Sequence, residues 1–428
     1  MADSLSIFGE GTFEEQIQEL VKYLARPESE EGRSKLIQPF QEALASSENQ
    51  VPVADIEPRR KEIVKLLVSE IKGLGDGNER EIEGFFNLVY CHVLSSYPPD
   101  SPESTNLVTS LIQAITSTPP TEQTSVKYRL LSHLFNALPN RSTLRPQVYK
   151  ALLNLATVNE ELEVLQLKVS DLERWLDEWD ISVDERSEFI KSISDAYAKV
   201  GRTEESYSFE VFYVRSIPAN SPKAQAAALA VIAKALKLPT VFSFDALLKL
   251  NTVRAARDHQ LFSLLKILIQ GSLTDYQQWV IPNDNILGEF ATDLDKRQLE
   301  RKLKLLILGD LGAKNIGRDV PYHEISSALQ IGQDEVEVWV IDVIRSKLLS
   351  GRLSQPQQTL HVTRSISRSF DKEEWETIEN RLITWKTGLQ GILAVITAAK
   401  NNVAATTATA LSQSSQPQTT RPIQVVQA

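Results

Sequence analysis

The 428-residue chain is long enough for two or three domains or for one extended array, and its formal net charge is −10. Hydrophobic residues make up 42% and charged residues 24%, so most of the chain should fold. The acidic balance argues against binding of nucleic acid or an anionic membrane over the whole surface. Cys91 is the only cysteine, which excludes an internal disulfide and a cysteine-rich zinc site.

The N-terminal residues lack the basic start and the apolar segment of a signal peptide. No run approaches the ~18 apolar residues that a membrane span requires. We therefore expect a soluble cytoplasmic protein without membrane contact.

From residue 13 to about residue 300, apolar residues recur with the spacing of amphipathic helices. Representative stripes are Phe13, Ile17, Leu20 and Leu24; Ile82, Phe85, Phe86, Val89 and Val93; and Val126, Leu130, Leu134 and Leu138. Short breakers separate the stripes, and no segment before residue 350 shows sustained alternation. Consecutive helices of this kind predict an α-solenoid, an architecture typical of scaffolds.

Residues 301–370 predict three short helices followed by a β-hairpin, the layout of a winged helix. The first helix spans 301–311, Pro321 opens the second, and Gly332 breaks the chain after it. Asp334 and Glu337 have the spacing of a capping box for the third helix, whose C-terminal residue would be Gly351.

The hairpin follows a polar turn at residues 354–358. Leu360 and Val362 should face the core, while His361 and Thr363 face the opposite way. We expect the strand around residues 359–363 to be an exposed edge that can pair with another chain.

A last helix is predicted from Asp371 to about Lys400. Its apolar stripe advances by three or four residues through Trp375, Ile378, Leu382, Trp385, Leu389, Ile392 or Leu393, and Ile396. The stripe is longer than a ~65-residue winged helix can cover, so we expect its first half to pack on the winged helix and its second half to meet a partner. Residues 401–428, rich in Ala, Thr, Ser and Gln, are predicted to be a disordered tail.

No active site emerges from the sequence, and we expect no catalytic residue, no metal and no cofactor. The glycine-rich stretch 73–77 follows a helix and lacks the Lys-Ser/Thr of a phosphate loop, which favours a plain loop. Cys91 and His92 diverge by ~100° on a helix, so they cannot act as nucleophile and base. The five histidines are scattered without ligand spacing.

Residues 345–368 contain five basic residues and no acidic one. A winged helix that reads DNA would place its third helix in the major groove. Here that helix carries Asp334, Glu335, Glu337 and Asp342, which would repel phosphate. Weak contact with an RNA backbone through Arg352, Arg364 and Arg368 is the remaining nucleic-acid hypothesis; the alternative is a solvated or protein-contacting face.

Helical repeats followed by a winged helix and a long terminal helix resemble the PCI family of non-catalytic subunits, found in the proteasome lid, the signalosome and eukaryotic translation initiation factor 3. Within it, the chain most resembles the subunit M family of that initiation factor. The segments that carry this resemblance are residues 175–179, 244–250, 329–337, 340–345 and 369–370, and the spacing of Trp375 and Trp385.

The resemblance implies an all-α chain: N-terminal helical repeats in 1–205, a PCI domain in 206–370 with its winged helix in 301–370, and a C-terminal helix in 371–400. It implies a scaffold in a complex that binds the small ribosomal subunit and helps recruit initiator tRNA and mRNA. Family members associate through hairpin edges and terminal helices. The expected partner-interface residues are Thr359, His361, Thr363, Leu389, Ile392, Leu393 and Ile396.

Two other functions stay open. A scaffold of the signalosome or the proteasome lid would have the same fold. Copurifying ribosomal subunits would indicate the initiation factor, whereas copurifying cullins or proteasome particles would indicate the signalosome or the lid. A nucleic-acid-binding regulator would use the winged helix, against which the acidic third helix argues.

Overall fold

The structure, a computed structural model, describes residues 11–48, 53–119, 122–218, 221–283, 295–368 and 372–413. Helices dominate this part of the chain. Their bounds are α1 Phe13–Leu24, α2 Glu30–Glu48, α3 Val53–Glu70, α4 Glu79–Ser96, α5 Pro102–Thr116, α6 Thr124–Ala137, α7 Arg145–Val158, α8 Val169–Glu178, α9 Val183–Lys199, α10 Thr203–Ser216, α11 Pro222–Lys237, α12 Asp245–Leu248, α13 Asn251–Ala255, α14 Gln260–Gln270, α15 Leu273–Val280, α16 Lys296–Lys314, α17 Tyr322–Leu329, α18 Val336–Arg345 and α19 Lys372–Gln413. Two 3-10 helices, Leu162–Leu165 and Gln333–Glu335, interrupt the series.

Local sequence explains where several of these helices begin. Thr12, Asn78 and Ser182 each form a capping box with the glutamate three residues later, which satisfies two backbone N–H groups at the helix start. Pro102 and Pro222 lie in the first turn of their helices, where a missing N–H costs nothing.

The apolar core consists of three clusters, which span residues 17–209, 214–306 and 305–362. The predicted domain boundary between 205 and 206 falls inside α10, which contributes Phe209 to the first cluster and Val214 to the second. The helical array therefore continues through this position. The division into domains stays a prediction.

Buried cations satisfy the C-terminal carbonyls of three helices. Lys127 Nζ donates to the Pro119 carbonyl oxygen at 2.6 Å, after the end of α5. Arg145 Nη2 donates to the Leu138 carbonyl oxygen at 2.8 Å, at the end of α6. Lys302 Nζ donates to the carbonyl oxygens of Ala235 and Leu238 at 2.6 and 2.7 Å, at the end of α11. Carbonyls at a helix C-terminus lack partners within the helix, so each cation ties one helix end to a later helix.

The winged helix is confirmed, with a larger sheet than expected. Strands β1 (Asp319–Pro321), β2 (Leu349–Ser354) and β3 (Thr359–Ser365) form an antiparallel sheet in the order β1-β3-β2. The sequence did not indicate β1, because three residues are too few to show alternation. Helices α16, α17 and α18 pack with this sheet around the third cluster, which includes Val336, Val340, Leu360 and Val362.

Two local predictions in this region are wrong. A 3-10 helix precedes α18. The N-cap residue of α18 is Glu335, which makes no side-chain capping bond, so the capping box at Asp334 is absent. Helix α18 ends at Arg345, and Gly351 lies in β2 rather than after a helix. The sheet register shifts between Ser350 and Gly351, and a Cβ on Gly351 would lie 2.5 Å from the His361 carbonyl oxygen. The glycine is therefore needed for a β-bulge.

The C-terminal helix α19 continues to Gln413, thirteen residues beyond its predicted end at Lys400. Residues 401–413, assigned from the sequence to a disordered tail, are thus helical, because their alanines have the strongest helix propensity of any residue. Asp371, the predicted first residue of this helix, and residues 414–428 lie outside the described residues.

Candidate functional site

The glycine-rich stretch 73–77 packs around a tyrosine. Tyr23 Oη donates to the Leu74 carbonyl oxygen at 3.0 Å. Gly75 has a φ of +81°, and a Cβ there would lie 2.7 Å from Tyr23 Cε1. The glycines therefore permit close approach of the backbone to a ring and a left-handed turn, a structural role.

The tryptophan pair of residues 175–179 belongs to an aromatic cluster in the first core. Trp175 and Trp179 stack with ring centroids 6.1 Å apart, and Trp179 also contacts Phe189 at 5.3 Å. Tyr149 lies 5.3 Å from Trp175, and burial raises the pKa of its hydroxyl far above the ordinary value. Edge-to-face and stacked pairs of this kind stabilise packing between helices, here α7, α8 and α9.

Metal binding finds no support in the described residues, where no group of three or more His, Cys, Asp or Glu side chains could hold an ion. His92 is buried, and its ring meets the edge of Phe13 at 5.2 Å. Burial lowers the pKa of His92, so the ring is neutral and packs in the core.

The edge-strand hypothesis for residues 359–363 is wrong. Strand β3 lies in the centre of the sheet, paired with β1 on one side and β2 on the other. Strand β1, which the sequence did not indicate, pairs with the side of β3 that was expected to be unpaired. The edges of the sheet are β1, which is only three residues long, and β2, which has six.

Thr359, His361 and Thr363 nevertheless share one face of β3, opposite the buried Leu360 and Val362. The predicted alternation is thereby confirmed. His361 lies across from Asp319 on β1 and Arg352 on β2, and its Nδ1 is 2.7 Å from Asp319 Oδ1. This polar row, with the exposed Thr363, is the solvent face of the sheet.

The three arginines proposed to contact RNA do not form one surface. Arg352 and Arg364 are exposed on β2 and β3. Arg368 is largely buried, with Nη1 donating to the Gly271 carbonyl oxygen at 3.0 Å and Nη2 3.6 Å from Asp310 Oδ2. A guanidinium held this way cannot reach a phosphate, so the prediction for Arg368 is wrong.

The exposed face of α18 differs from that of a base-reading helix. Asp334 and Glu335 precede it and are exposed, as expected. Asp342 instead pairs with Arg301, with the two atoms 2.6 Å apart. Val338 and Ile341, exposed by 60% and 43%, lie between these acids and Arg345. The sequence pattern did not indicate this apolar pair, which suits protein contact better than a DNA groove.

The largest apolar surface in the described chain belongs to α19. Trp375, Leu382, Trp385, Leu389, Ile392, Leu393 and Ile396 are each more than two-fifths exposed. The expectation that the first half of this helix packs on the winged helix is wrong, since Trp375 and Trp385 are 62% and 66% exposed. The winged helix has its own apolar cluster, formed by α16, α17, α18 and the sheet, to which the described residues of α19 contribute no buried residue.

Most of the large apolar residues of α19 follow a heptad, and Ile383, which is 54% exposed, lies outside it. Positions 375, 382, 389, 396 and 403 alternate with 378, 385, 392 and 399, and each of these residues is Trp, Leu, Ile, Val or Ala. A period of 3.5 residues keeps one seam facing a partner helix in a left-handed supercoil. The flanking positions are Glu379, Arg381 and Lys386 in the first half but Leu393 and Val395 in the second, so the apolar seam widens toward the C-terminus.

One segment of this helix, Trp375–Asn401, is long and apolar enough to cross a membrane by length and composition, contrary to the sequence expectation. Those two properties are shared by helices that pack against other proteins, so they do not by themselves identify a span. Lys386, four threonines and Gln390 interrupt the segment, whereas most of its large apolar residues fall on one seam.

Known proteins match the region of the winged helix, the C-terminal helix and nearly the whole chain. A family model described as the PCI domain matches residues 274–364, and one described as eIF3 subunit M, C-terminal helix, matches residues 368–396. The chain is 30% identical over 407 residues to eukaryotic translation initiation factor 3 subunit M of Phaeosphaeria nodorum, covering 92% of this chain and 89% of that protein. The subunit M of Aspergillus clavatus is 32% identical over 412 residues, covering 91% and 84%.

The subunit M of Dictyostelium discoideum is 29% identical over 330 residues, covering 76% of this chain and 80% of that protein. These relatives do not favour the alternative of a signalosome or proteasome-lid subunit. The resemblance seen in the sequence is confirmed: the chain belongs to the subunit M family of eukaryotic translation initiation factor 3.

Proposed function

We propose that this chain is a non-catalytic scaffold subunit of the cytoplasmic translation initiation factor 3 complex, held in the complex by α19. The single observation that carries the proposal is the exposed heptad seam of that helix. Each Leu or Ile left in water forgoes about 1.5–3 kcal/mol relative to burial, so a seam of this length favours association with other helices.

The widening of the seam supports a change in the number of partners along α19. Charged side chains flank the seam around Trp385, as in a pair of helices. Leu393 and Val395 extend the apolar face around Ile392 and Ile396, where both are exposed by more than half. An apolar face of that width suits packing between two or more neighbouring helices.

Strand β2 supports a second contact with a neighbouring subunit. It forms the longer edge of the sheet, and edge strands carry N–H and C=O groups that another strand can pair with. Thr359, His361 and Thr363 lie on the adjoining solvent face and are proposed to take part through side-chain contacts. Contact with the small ribosomal subunit belongs to the assembled complex, and direct RNA contact would rest on Arg352 and Arg364.

The test compares two single substitutions two residues apart on α19, which places them on opposite sides of the helix. Ile392→Asp places a charge in the seam, whereas Ala394→Asp places the same charge on the opposite side of the helix. We expect the tagged Ile392→Asp chain to lose copurifying initiation factor subunits while Ala394→Asp retains them. Truncation after Thr387, which removes the wide half of the seam, should have the same effect as Ile392→Asp.

Circular dichroism and thermal melting of the variants should stay close to those of the unaltered chain, because the seam is exposed. Full recovery of the complex with the Thr387 truncation in high salt would contradict the anchoring role of α19. Recovery of cullins or proteasome particles in place of ribosomal subunits would contradict the assignment to the initiation factor.

A further inference from the structure

A largely buried polar cluster lies where the first and second apolar clusters meet on α10. Its members are Ser194 on α9, Ser206 and Glu210 on α10, and Lys234 on α11. Ser194 and Ser206 are 3% and 0% exposed. No sequence pattern indicates the cluster, because the four residues are ordinary polar residues of amphipathic helices.

The hydrogen bonds of the cluster are reciprocal. Ser194 Oγ donates to the Ser206 carbonyl oxygen at 3.0 Å, and Ser206 Oγ donates to the Ser194 carbonyl oxygen at 2.7 Å. Lys234 Nζ then donates to Ser206 Oγ at 2.7 Å and pairs with Glu210 Oε2 at 2.6 Å. One chain of contacts thus joins α9, α10 and α11.

A serine beside a lysine is also the arrangement of some hydrolases. Ser206 is fully buried, and its hydroxyl hydrogen is engaged by the carbonyl of Ser194. A substrate cannot reach that oxygen. The cluster therefore has a structural effect.

The position of the cluster indicates which part of the structure it affects. Residues up to Phe209 belong to the first apolar core and residues from Val214 to the second. Tyr213, which is half-buried, packs against both. On the same helix, Phe212 packs against the first cluster, and Tyr207 and Val211 pack against the second. Apolar contact has no preferred direction, so these contacts by themselves do not define one relative orientation. Hydrogen bonds require defined distances and angles.

We propose that the Ser194–Ser206–Glu210–Lys234 cluster is a conformational device that fixes the orientation of the helices before α10 relative to those after it. Without it, the two cores stay folded and turn against each other about α10. The proposal does not depend on the function assigned to α19, since it concerns only the free chain.

The test measures a distance across α10. Cys91 is exposed on α4 and is the only cysteine, so one spin label can be placed there and a second at Lys249→Cys, an exposed position after α12. In the unaltered chain we expect one narrow distance distribution. Ser206→Ala combined with Lys234→Met should broaden it, while the helical signal in circular dichroism is retained.

Matched controls separate orientation from general stability. Ser208→Ala removes an exposed hydroxyl of the same helix that donates to the Glu204 carbonyl oxygen one turn earlier, and it should leave the distribution unchanged. Lys234→Arg keeps a cation beside Glu210 and should keep the distribution narrow. If the double variant does not fold, Ser194→Ala alone, which removes one of the two reciprocal bonds, is the milder form and should broaden the distribution to a smaller extent.

A distribution that stays as narrow as in the unaltered chain, even with a lower melting temperature, would overturn the proposal. The cluster would then only add stability. Small-angle X-ray scattering of the same variants gives an independent measurement, in which we expect a larger radius of gyration for the double variant.

Discussion

Lys302 is the buried residue whose replacement should reveal most about how the helical array joins the winged helix. It lies on α16 and is 4% exposed. Its ammonium donates to carbonyl oxygens of Ala235 and Leu238 at the end of α11, and it lies 5.2 Å from the ring centre of Phe244. Lys302→Met keeps an unbranched stem of similar length but removes every donor.

The expected cost follows from these contacts. Two buried carbonyl oxygens lose their short hydrogen bonds, at about 1–3 kcal/mol each. Methionine does not need to desolvate an ammonium, which offsets part of that cost. We therefore expect the variant to lose about 2–4 kcal/mol of unfolding free energy at neutral pH.

The cost should also depend on pH. Burial lowers the pKa of Lys302 from 10.5 to about 7. Because the folded pKa lies below the unfolded one, the unfolded chain binds more protons between these values, and stability rises with pH. The variant lacks this group, so its deficit should grow above pH 7 by up to about 1.4 kcal/mol per pH unit.

Urea unfolding followed by circular dichroism measures the overall cost, and hydrogen exchange in peptides from residues 222–237 and 296–314 shows where it arises. Lys314→Met is the matched control, since Lys314 lies on the same helix, is 74% exposed and pairs with Asp310 in the preceding turn. That exposed pair is worth less than about 1 kcal/mol. A deficit for Lys302→Met below about 0.5 kcal/mol, with no dependence on pH, would refute the reasoning.

Three further outcomes are expected. Gly351→Ala should destabilise the winged helix by about 1–3 kcal/mol, because its Cβ would meet the His361 carbonyl, whereas Gly332→Ala, with open space around it, should be nearly neutral in the same melting experiment. Arg145→Met should cost about 1–3 kcal/mol in urea unfolding, because the Leu138 carbonyl loses both its guanidinium donors. Binding of the full chain to RNA should be weak, lost in modest salt and reduced by Arg352→Ala and Arg364→Ala. A specificity ratio above about 10³ over random sequence at physiological salt would contradict this.

Local rules predicted many of the helices and the packing of the winged helix correctly. The periodic stripes marked α1, α4 and α6, and the alternation after residue 358 placed Leu360 and Val362 in the core. The same rules failed where one residue type is common in two different local structures. Gly351 fits both a helix end and a β-bulge, and only the partner strand shows which applies. Alanines after Lys400 fit both a polar tail and a helix.

By itself the sequence determined that the chain is a helical array with a winged helix and an apolar terminal helix, because hydrophobic spacing reports which side of an element is buried. It also contained the heptad seam of α19. Tertiary structure alone decided which strand lies at the edge of the sheet, because β1 is too short to be seen and yet occupies the edge expected for β3. It also decided the roles of Arg368, Lys302 and the polar cluster around Ser206. Each of these roles depends on a polar group supplied by another helix. Because the paired groups are far apart in the sequence, no local sequence pattern reveals the pairing.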